Sequence, residues 1–214
     1  MIKIHLSNVF LICVLGTLLL WPEFKLEAPI DAKVRHAYQS VCQVTSGQAA
    51  GSGVLLESGY VITAAHVVDR DQNGNIDEGE ETVTLTFPSI EFETLAKVIH
   101  SGDIEAGVDV AVVKPEKEIP LPGIRMMESK EYWELNLGTP LYTIGMQSGQ
   151  PMANITDGRM ITTPRDKPLH RNSANSYSGN SGGGVFVNEE LVGIASQMGM
   201  GQQFMMLPIY QVDD

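Results

Sequence analysis

Cysteine is nearly absent: the 214 residues hold two, Cys13 and Cys42, and Cys13 lies inside an apolar N-terminal run. With that run set aside Cys42 stands alone, so no intrachain disulfide staples the folded part, and its apolar flanks mark it as a small buried hydrophobe. Positive charge is scarce as well. Fourteen Lys and Arg stand against 26 Asp and Glu, a formal net charge of -12, which argues against nucleic acid as a partner because phosphate binding needs a basic face. His5 falls in the targeting segment, and His36, His100 and His170 have no cysteine or carboxylate at ligand spacing, which argues against a zinc site. Long hydrophobic runs are limited to one, Val9 to Trp21, after Lys3 and before Pro22 and Glu23. It is shorter than the ~20 residues that comfortably span a bilayer. A cleaved signal peptide and an uncleaved, helical signal anchor therefore both remain open for residues 1–27, and the lack of a small-x-small site after Trp21 favours the anchor. Either way the expected location is extracytoplasmic: periplasmic, secreted or held at a membrane through this segment.

What is present is strand pattern. Short β-like runs alternate with turn clusters, helical periodicity is scarce, and no internal repeat is visible. With 43% hydrophobic and 19% charged residues, the chain can bury one substantial core or two small packed barrels, without room for an added PDZ domain. The pattern predicts an all-β domain over 28–214. Strands at Val41–Thr45, Gly53–Glu57, Tyr60–Thr63, Thr82–Phe87, Leu95–His100 and Val110–Lys114 would form a first barrel over about 35–114. Pro115, Pro120, Pro122 and Gly123 mark 115–124 as a surface linker. A second barrel over about 125–214 would use Pro140–Ile144, Asn154–Thr163, Gly183–Val187, Leu191–Ser196 and Gln203–Pro208.

Three segments carry chemistry. Tyr177-Ser178-Gly179-Asn180-Ser181-Gly182-Gly183-Gly184-Val185-Phe186 sets a hydroxyl in a glycine-rich turn, tight enough for the amides of Gly179 and Ser181 to aim at one spot as an oxyanion hole. Tyr60-Val61-Ile62-Thr63-Ala64-Ala65-His66 ends an apolar strand in two alanines and a candidate base. Val108-Asp109-Val110-Ala111-Val112-Val113 puts a carboxylate at the mouth of an apolar strand, whereas the competing Asp103 precedes no such run. The chain order His66, Asp109, Ser181 differs from the Ser, Asp, His order of G-x-S-x-G hydrolases. Together with G-S-G-V-L at Gly51–Leu55, L-V-G-I-A-S at Leu191–Ser196 and the closing F-M-M-L-P-I, these segments resemble the chymotrypsin-fold serine peptidases, most closely the HtrA/Deg-like branch. The resemblance runs from Gly51 onward and implies two packed antiparallel β-barrels. It also implies a serine endopeptidase acting on protein or peptide substrates, with Ser181 as nucleophile, His66 as base and Asp109 as orienter. A non-catalytic module on the same fold, or an esterase or acyl transferase with the same nucleophile, are the alternatives.

The resemblance extends to specificity. The residue six before the nucleophile, Asn175, would form the base of the primary pocket, and Ala195, Ser196, Gln197 and Met198 would run along the substrate backbone. Lacking an acid at Asn175 and carrying Met198 where wide pockets have glycine, the pocket is expected to be narrow and to take small aliphatic residues. Asn180, in place of an aspartate, excludes activation by pairing with a newly cut N-terminus. Finally, Asp69-Arg70-Asp71-Gln72-Asn73-Gly74-Asn75-Ile76-Asp77-Glu78-Gly79-Glu80 matches the EF-hand loop at its ligand positions. Asp69, Asp71, Asn73, Asn75, Asp77 and Glu80 are thus expected to bind Ca2+, in a loop without the usual exiting helix because Thr82–Phe87 reads as strand. Calcium would stabilise or regulate the enzyme and has no part in the chemistry.

Overall fold

The computed structural model describes residues 32–47, 49–69, 71–73, 75–162, 170–196 and 205–208. Residues 1–27, expected to be a signal peptide or anchor, and Gln197 and Met198 lie outside the described residues. Among the described residues no helix is long and apolar enough to cross a membrane.

Helix α1 (Ala32–Ser40) opens the domain. It buries Ala37 with Val34 and Tyr38 partly buried beside it, an i, i+3, i+4 stripe, and the Ser40 hydroxyl donates to the His36 carbonyl at 3.0 Å as the helix ends. The strands β1 (Val41–Ser46), β2 (Ala49–Leu55), β3 (Val61–Thr63), β4 (Thr82–Phe87), β5 (Phe92–Ser101) and β6 (Ala111–Pro115) then close a barrel in the order β1-β2-β3-β6-β5-β4. Closure comes from β1 pairing antiparallel with β4, Val44 opposite Leu85. Alternation places Thr94, Ala96 and Val98 of β5 inward while Glu93, Leu95 and Lys97 face out.

The linker is pinned rather than loose. Ile124 bridges Leu56 in parallel, its amide donating to the Leu55 carbonyl at 2.9 Å. A short helix α3 (Ser129–Glu134) follows, closed by a Glu128/Glu131 capping box; α2 is the four-residue Ala65–Val68 turn described below. The remaining strands are β7 (Pro140–Met146), β8 (Ala153–Arg159), β9 (His170–Arg171), β10 (Gly184–Val187), β11 (Glu190–Ser196) and β12 (Met205–Pro208). Where a second closed barrel was expected, they form a six-stranded sheet in the order β8-β7-β10-β11-β12-β9. Among the described residues its outer strands meet just past their ends, through a Met160–Asn172 bridge flanked by the Ile161 amide donating to the Arg171 carbonyl and the Ser173 amide to the Arg159 carbonyl, both at 3.0 Å, because β9 is two residues long and supplies no full ladder.

One apolar cluster contains residues of both halves. Val41, Val54, Ile62 and Val110 from the barrel are buried with Ile144, Phe186, Leu191 and Ile194 from the sheet. Phe186 is completely buried and stacks on Tyr142 with ring centroids 5.4 Å apart. Truncating a buried phenylalanine loses transfer free energy and leaves a cavity, so Phe186→Ala should destabilise the domain by about 3–5 kcal/mol, read as a lowered urea midpoint.

Candidate active site

After Thr63 ends β3, Ala64 is extended and Ala65–Val68 makes a single helical turn, α2. Both alanines are fully buried, and the turn presents His66 at a surface where its side chain keeps 25% exposure. Its Nδ1 lies 2.8 Å from Asp109 Oδ2, and its backbone amide donates to Asp109 Oδ1 at 3.0 Å. Since a carboxylate only accepts, Nδ1 carries the proton of this pair, so that in the neutral form of the ring Nε2 is the acceptor. The Ser196 hydroxyl donates to Asp109 Oδ2 at 2.5 Å, so both oxygens of a fully buried carboxylate are occupied. Burial pushes the Asp109 carboxyl upward, but the His66 ring through its hydrogen bond and charge, the Ser196 hydroxyl and the His66 amide together outweigh it and hold it below the usual carboxylate value. Asp103, the competing acid, is exposed and accepts from the Ala106 amide at 3.0 Å, shaping the turn that leads to Asp109.

Ser181 sits in a turn clasped by the barrel. Its carbonyl accepts from the Ser52 amide at 2.7 Å, while the Ser52 hydroxyl donates to the Gly179 carbonyl at 2.7 Å and accepts from the Met146 amide at 2.7 Å. Gly182, at φ +82°, lies against the chain that enters α2: a Cβ there would stand 2.4 Å from Thr63 Oγ1 and 2.7 Å from the Ala64 amide nitrogen. The Ser181 turn and the histidine segment are thus packed together, two residues from His66. Among the described residues the His66 ring bonds to Asp109 and makes no direct hydrogen bond to the Ser181 hydroxyl. The amides of Gly179 and Ser181 meet no backbone acceptor among the described residues, which leaves both available to a ligand oxygen.

Of the residues expected beside the substrate, Asn175, Ala195 and Ser196 lie among the described residues. Asn175 is exposed, its carbonyl taken by the Thr156 hydroxyl at 3.0 Å. Ser196, expected beside the substrate, turns its hydroxyl inward onto Asp109 and is 2% exposed. Ala195 is likewise committed: its amide donates to the Gly183 carbonyl and its carbonyl accepts from the Gly182 amide, both at 2.7 Å. The segment expected to run beside substrate therefore anchors the nucleophile turn at Ala195 and the aspartate at Ser196. Asn180 is 1% exposed and fills the space above Gly145, whose Cβ would stand 3.1 Å from the Asn180 Cγ. Sequence reading missed Ser52, although its setting between Gly51 and Gly53 marked a place of close approach. Cys42 is buried, and burial pushes its thiol far above the ordinary range, so it offers no nucleophile.

The acidic loop begins on the histidine's own helix, the Asp69 amide donating to the Ala65 carbonyl at 2.8 Å. One carboxylate oxygen each from Asp69, Asp71 and Glu80 falls within 4.8 Å of the others, with Asp69 and Glu80 buried. Asn73 Nδ2 donates to Asp71 at 2.9 Å and to Asp77 at 2.7 Å, and the Asn75 amide donates to Asn73 Oδ1 at 2.7 Å. Asp77 accepts from Asn73 and is not among the three carboxylates so gathered, Asn75 is exposed, and Gly74 lies outside the described residues. The chain leaves directly into β4.

Residues 51–194 match the trypsin-like peptidase domain family, and the protein belongs to it. No curated protein matches the sequence. Among solved structures the chain is similar to the serine endoprotease from Yersinia pestis, with TM-score 0.67 and 22% identity over 85% of this chain and 62% of that one. It is also similar to the HtrA-type protease AlgW with a decapeptide (TM-score 0.65, 18% identity, 84% of this chain and 63% of that one). A third is the Rv3671c protease in its inactive form (TM-score 0.66, 19% identity, 85% of this chain and 89% of that one). The chain spans less than two thirds of the length of the first two. The fold, a closed six-stranded barrel with a second sheet, is thus chymotrypsin-like.

A carboxyl held below its usual value contributes stability that is present above the unfolded-state pKa and is lost as pH falls through the lowered folded value. Urea melts taken stepwise from neutral pH downward should show wild type losing this contribution at the acid end. Asp109→Asn should start less stable and decline less steeply; parallel declines would contradict the coupling.

Proposed function

We propose that this protein is a serine endopeptidase that hydrolyses peptide bonds through Ser181, His66 and Asp109. The observation that carries the reading is the buried Asp109 carboxylate, which grips both the ring and the amide of His66 while the Ser181 turn lies packed against the segment that enters α2. Ser181 Oγ attacks the scissile carbonyl as His66 Nε2 takes its proton, and the same nitrogen returns that proton to the leaving amine. Asp109 keeps the proton on Nδ1 and stabilises the imidazolium. The amides of Gly179 and Ser181 receive the oxyanion. Water then enters, gives a proton to His66 and releases the acyl group. A resting nucleophile–base bond is often long and tightens with substrate, so the mechanism does not require a direct bond between His66 and the Ser181 hydroxyl before substrate binds.

The loop 69–80 is the calcium site of this reading, with Asp69, Asp71, Asn73, Asn75, Asp77 and Glu80 as ligands. Carboxylate oxygens of two buried acids and of the exposed Asp71 lie within 4.8 Å of one another, and gathering like charges this closely carries an electrostatic cost. A divalent cation with oxygen ligands removes that cost. The hydrophobic N-terminal run supports an extracytoplasmic enzyme, where calcium is plentiful.

Purified residues 28–214 should hydrolyse casein and take a fluorophosphonate label. Ser181→Ala should abolish labelling and lower hydrolysis by roughly 1,000-fold or more. A label that persists in that variant overturns the assignment. An unlabelled wild type points to the binding module, and a preference for ester over peptide substrates points to an esterase or acyl transferase. A peptide library should show small aliphatic residues before the cleaved bond; strong preference for Arg, Lys or Phe contradicts the narrow pocket. Calcium at about 100 times its Kd should stabilise the domain by about 2.7 kcal/mol, chelator should reverse this, and Asp69→Ala/Glu80→Ala should melt alike with and without the ion.

A further inference from the structure

We infer that Ser52 is a positioning residue for the nucleophile turn: its buried hydroxyl, on the first barrel, fixes the Gly179 peptide so that the amides of Gly179 and Ser181 converge on the developing oxyanion. This rests on the serine peptidase reading and adds a residue to it that lies outside the triad and its oxyanion amides.

Ser52 is completely buried and sits in β2, on the opposite side of the seam from Ser181. Its hydrogen bonds leave no freedom to the hydroxyl rotor. The Met146 amide can only donate and the Gly179 carbonyl can only accept, so the single proton of Oγ must point at Gly179 and a lone pair at Met146. Both contacts are 2.7 Å. The Ser52 backbone is used as fully: its amide donates to the Ser181 carbonyl at 2.7 Å, and its carbonyl accepts from the Thr63 hydroxyl at 2.6 Å. One residue therefore ties together the Gly179 carbonyl, the Ser181 carbonyl, the end of β7 and the last residue of the strand that leads to His66.

The carbonyls so held belong to the peptides on either side of the Asn180–Ser181 link. Holding the rigid planes on both sides of the Asn180–Ser181 peptide restrains the direction of the Ser181 amide carried between them. Gly179 is at φ +95°, a conformation with little intrinsic restraint, and it is the residue whose amide supplies the other donor. Without the hydroxyl, the Gly179 carbonyl and the Met146 amide both lose a buried partner, and the turn is free to rotate away from the geometry that stabilises charge only in the transition state.

The test compares wild type, Ser52→Ala and Ser52→Thr, with three readouts. The expected result for Ser52→Ala is a kcat lowered about 10- to 100-fold with KM little changed, a smaller loss than removing an oxyanion donor outright. The affinity of a peptidyl boronic acid, which mimics the tetrahedral intermediate, should fall in the same proportion. Ser52→Thr keeps the hydroxyl and should recover most of both. Amide hydrogen exchange should quicken at 179–182 in Ser52→Ala while β2 and β10 keep their protection. Unchanged kcat and boronate affinity in Ser52→Ala overturn the inference, as does exchange that quickens across the whole domain, which is the mark of a structural residue only. If wild type neither cleaves peptides nor takes a fluorophosphonate, the peptidase reading fails by itself, and the exchange pattern still decides whether Ser52 holds the turn. If Ser52→Thr proves unfolded, the kinetic split and local exchange in Ser52→Ala carry the decision.

Discussion

The geometry of the candidate site depends on a cross-seam interlock in which the loop bearing Ser181 is held by the barrel that bears His66. Ser52 reaches across from β2 to two carbonyls of the nucleophile turn, and Ala195 holds the same turn from β11 through both of its backbone groups. A triad drawn from two halves of a chain can be positioned only as well as those halves are joined. Here the join is made of apolar burial around Phe186 and Ile62, with a small set of fully satisfied polar bonds at the point where chemistry would occur. Apolar packing supplies the adhesion, and the directional bonds supply the register.

Asp109 shows how a costly group is retained. Isolated in an apolar interior, a carboxylate is penalised by several kcal/mol, yet both of its oxygens here are hydrogen-bonded and the balance leaves its charged form favoured. Two of its three partners come from the His66 residue itself, ring and amide, so the carboxylate fixes the backbone of α2 as well as the imidazole. Ser196 contributes the third from the other half of the molecule. The orienting group of the site is consequently another tie across the seam.

Much of this was written in local sequence, because each motif demands unusual neighbours. Paired alanines before His66, an aspartate entering a buried strand at Val110, and glycines around Ser181 are each hard to explain by packing alone. Strand β4 has the boundaries read from its alternation, and β7 differs by two residues at its end. Short elements escaped. Helix α1 shows its stripe for barely two turns, α3 is capped by a glutamate where Ser, Thr or Asp would have been the signal, and β9 is too short for any period. The role of Ser52 was illegible for a different reason: its partner Gly179 is 127 positions away, and no local pattern encodes a contact at that distance. The bond from the Ser196 hydroxyl to Asp109 was illegible for the same reason, since the two residues lie 87 positions apart and which way a side chain faces is set by tertiary register.

Close approach explains why small residues crowd these segments. The space that a side chain would occupy at Gly51 is taken by Val67 and by the Ser181 carbonyl, with approaches of 2.5 and 2.8 Å. The same holds at Gly182, where the Ser52 carbonyl would stand 2.2 Å from an added carbon. The approaches to the Ser181 carbonyl at Gly51 and to the Ser52 carbonyl at Gly182 are to backbone, for which no rotamer change makes room, and the Val67 contact is to a buried branched side chain. Val67 belongs to α2, so the helix carrying His66 is wedged between Gly51 and the barrel interior, and its next residue, Val68, is fully buried. The acidic loop starts only one residue later, at Asp69, where the chain is still bonded to α2. A wedge packed this tightly transmits displacement rather than absorbing it. Any rearrangement at Asp69 must therefore be resisted at the Gly51 contact or felt at His66, which makes the stiffness of this short helix the physical link between the carboxylate cluster and the candidate base.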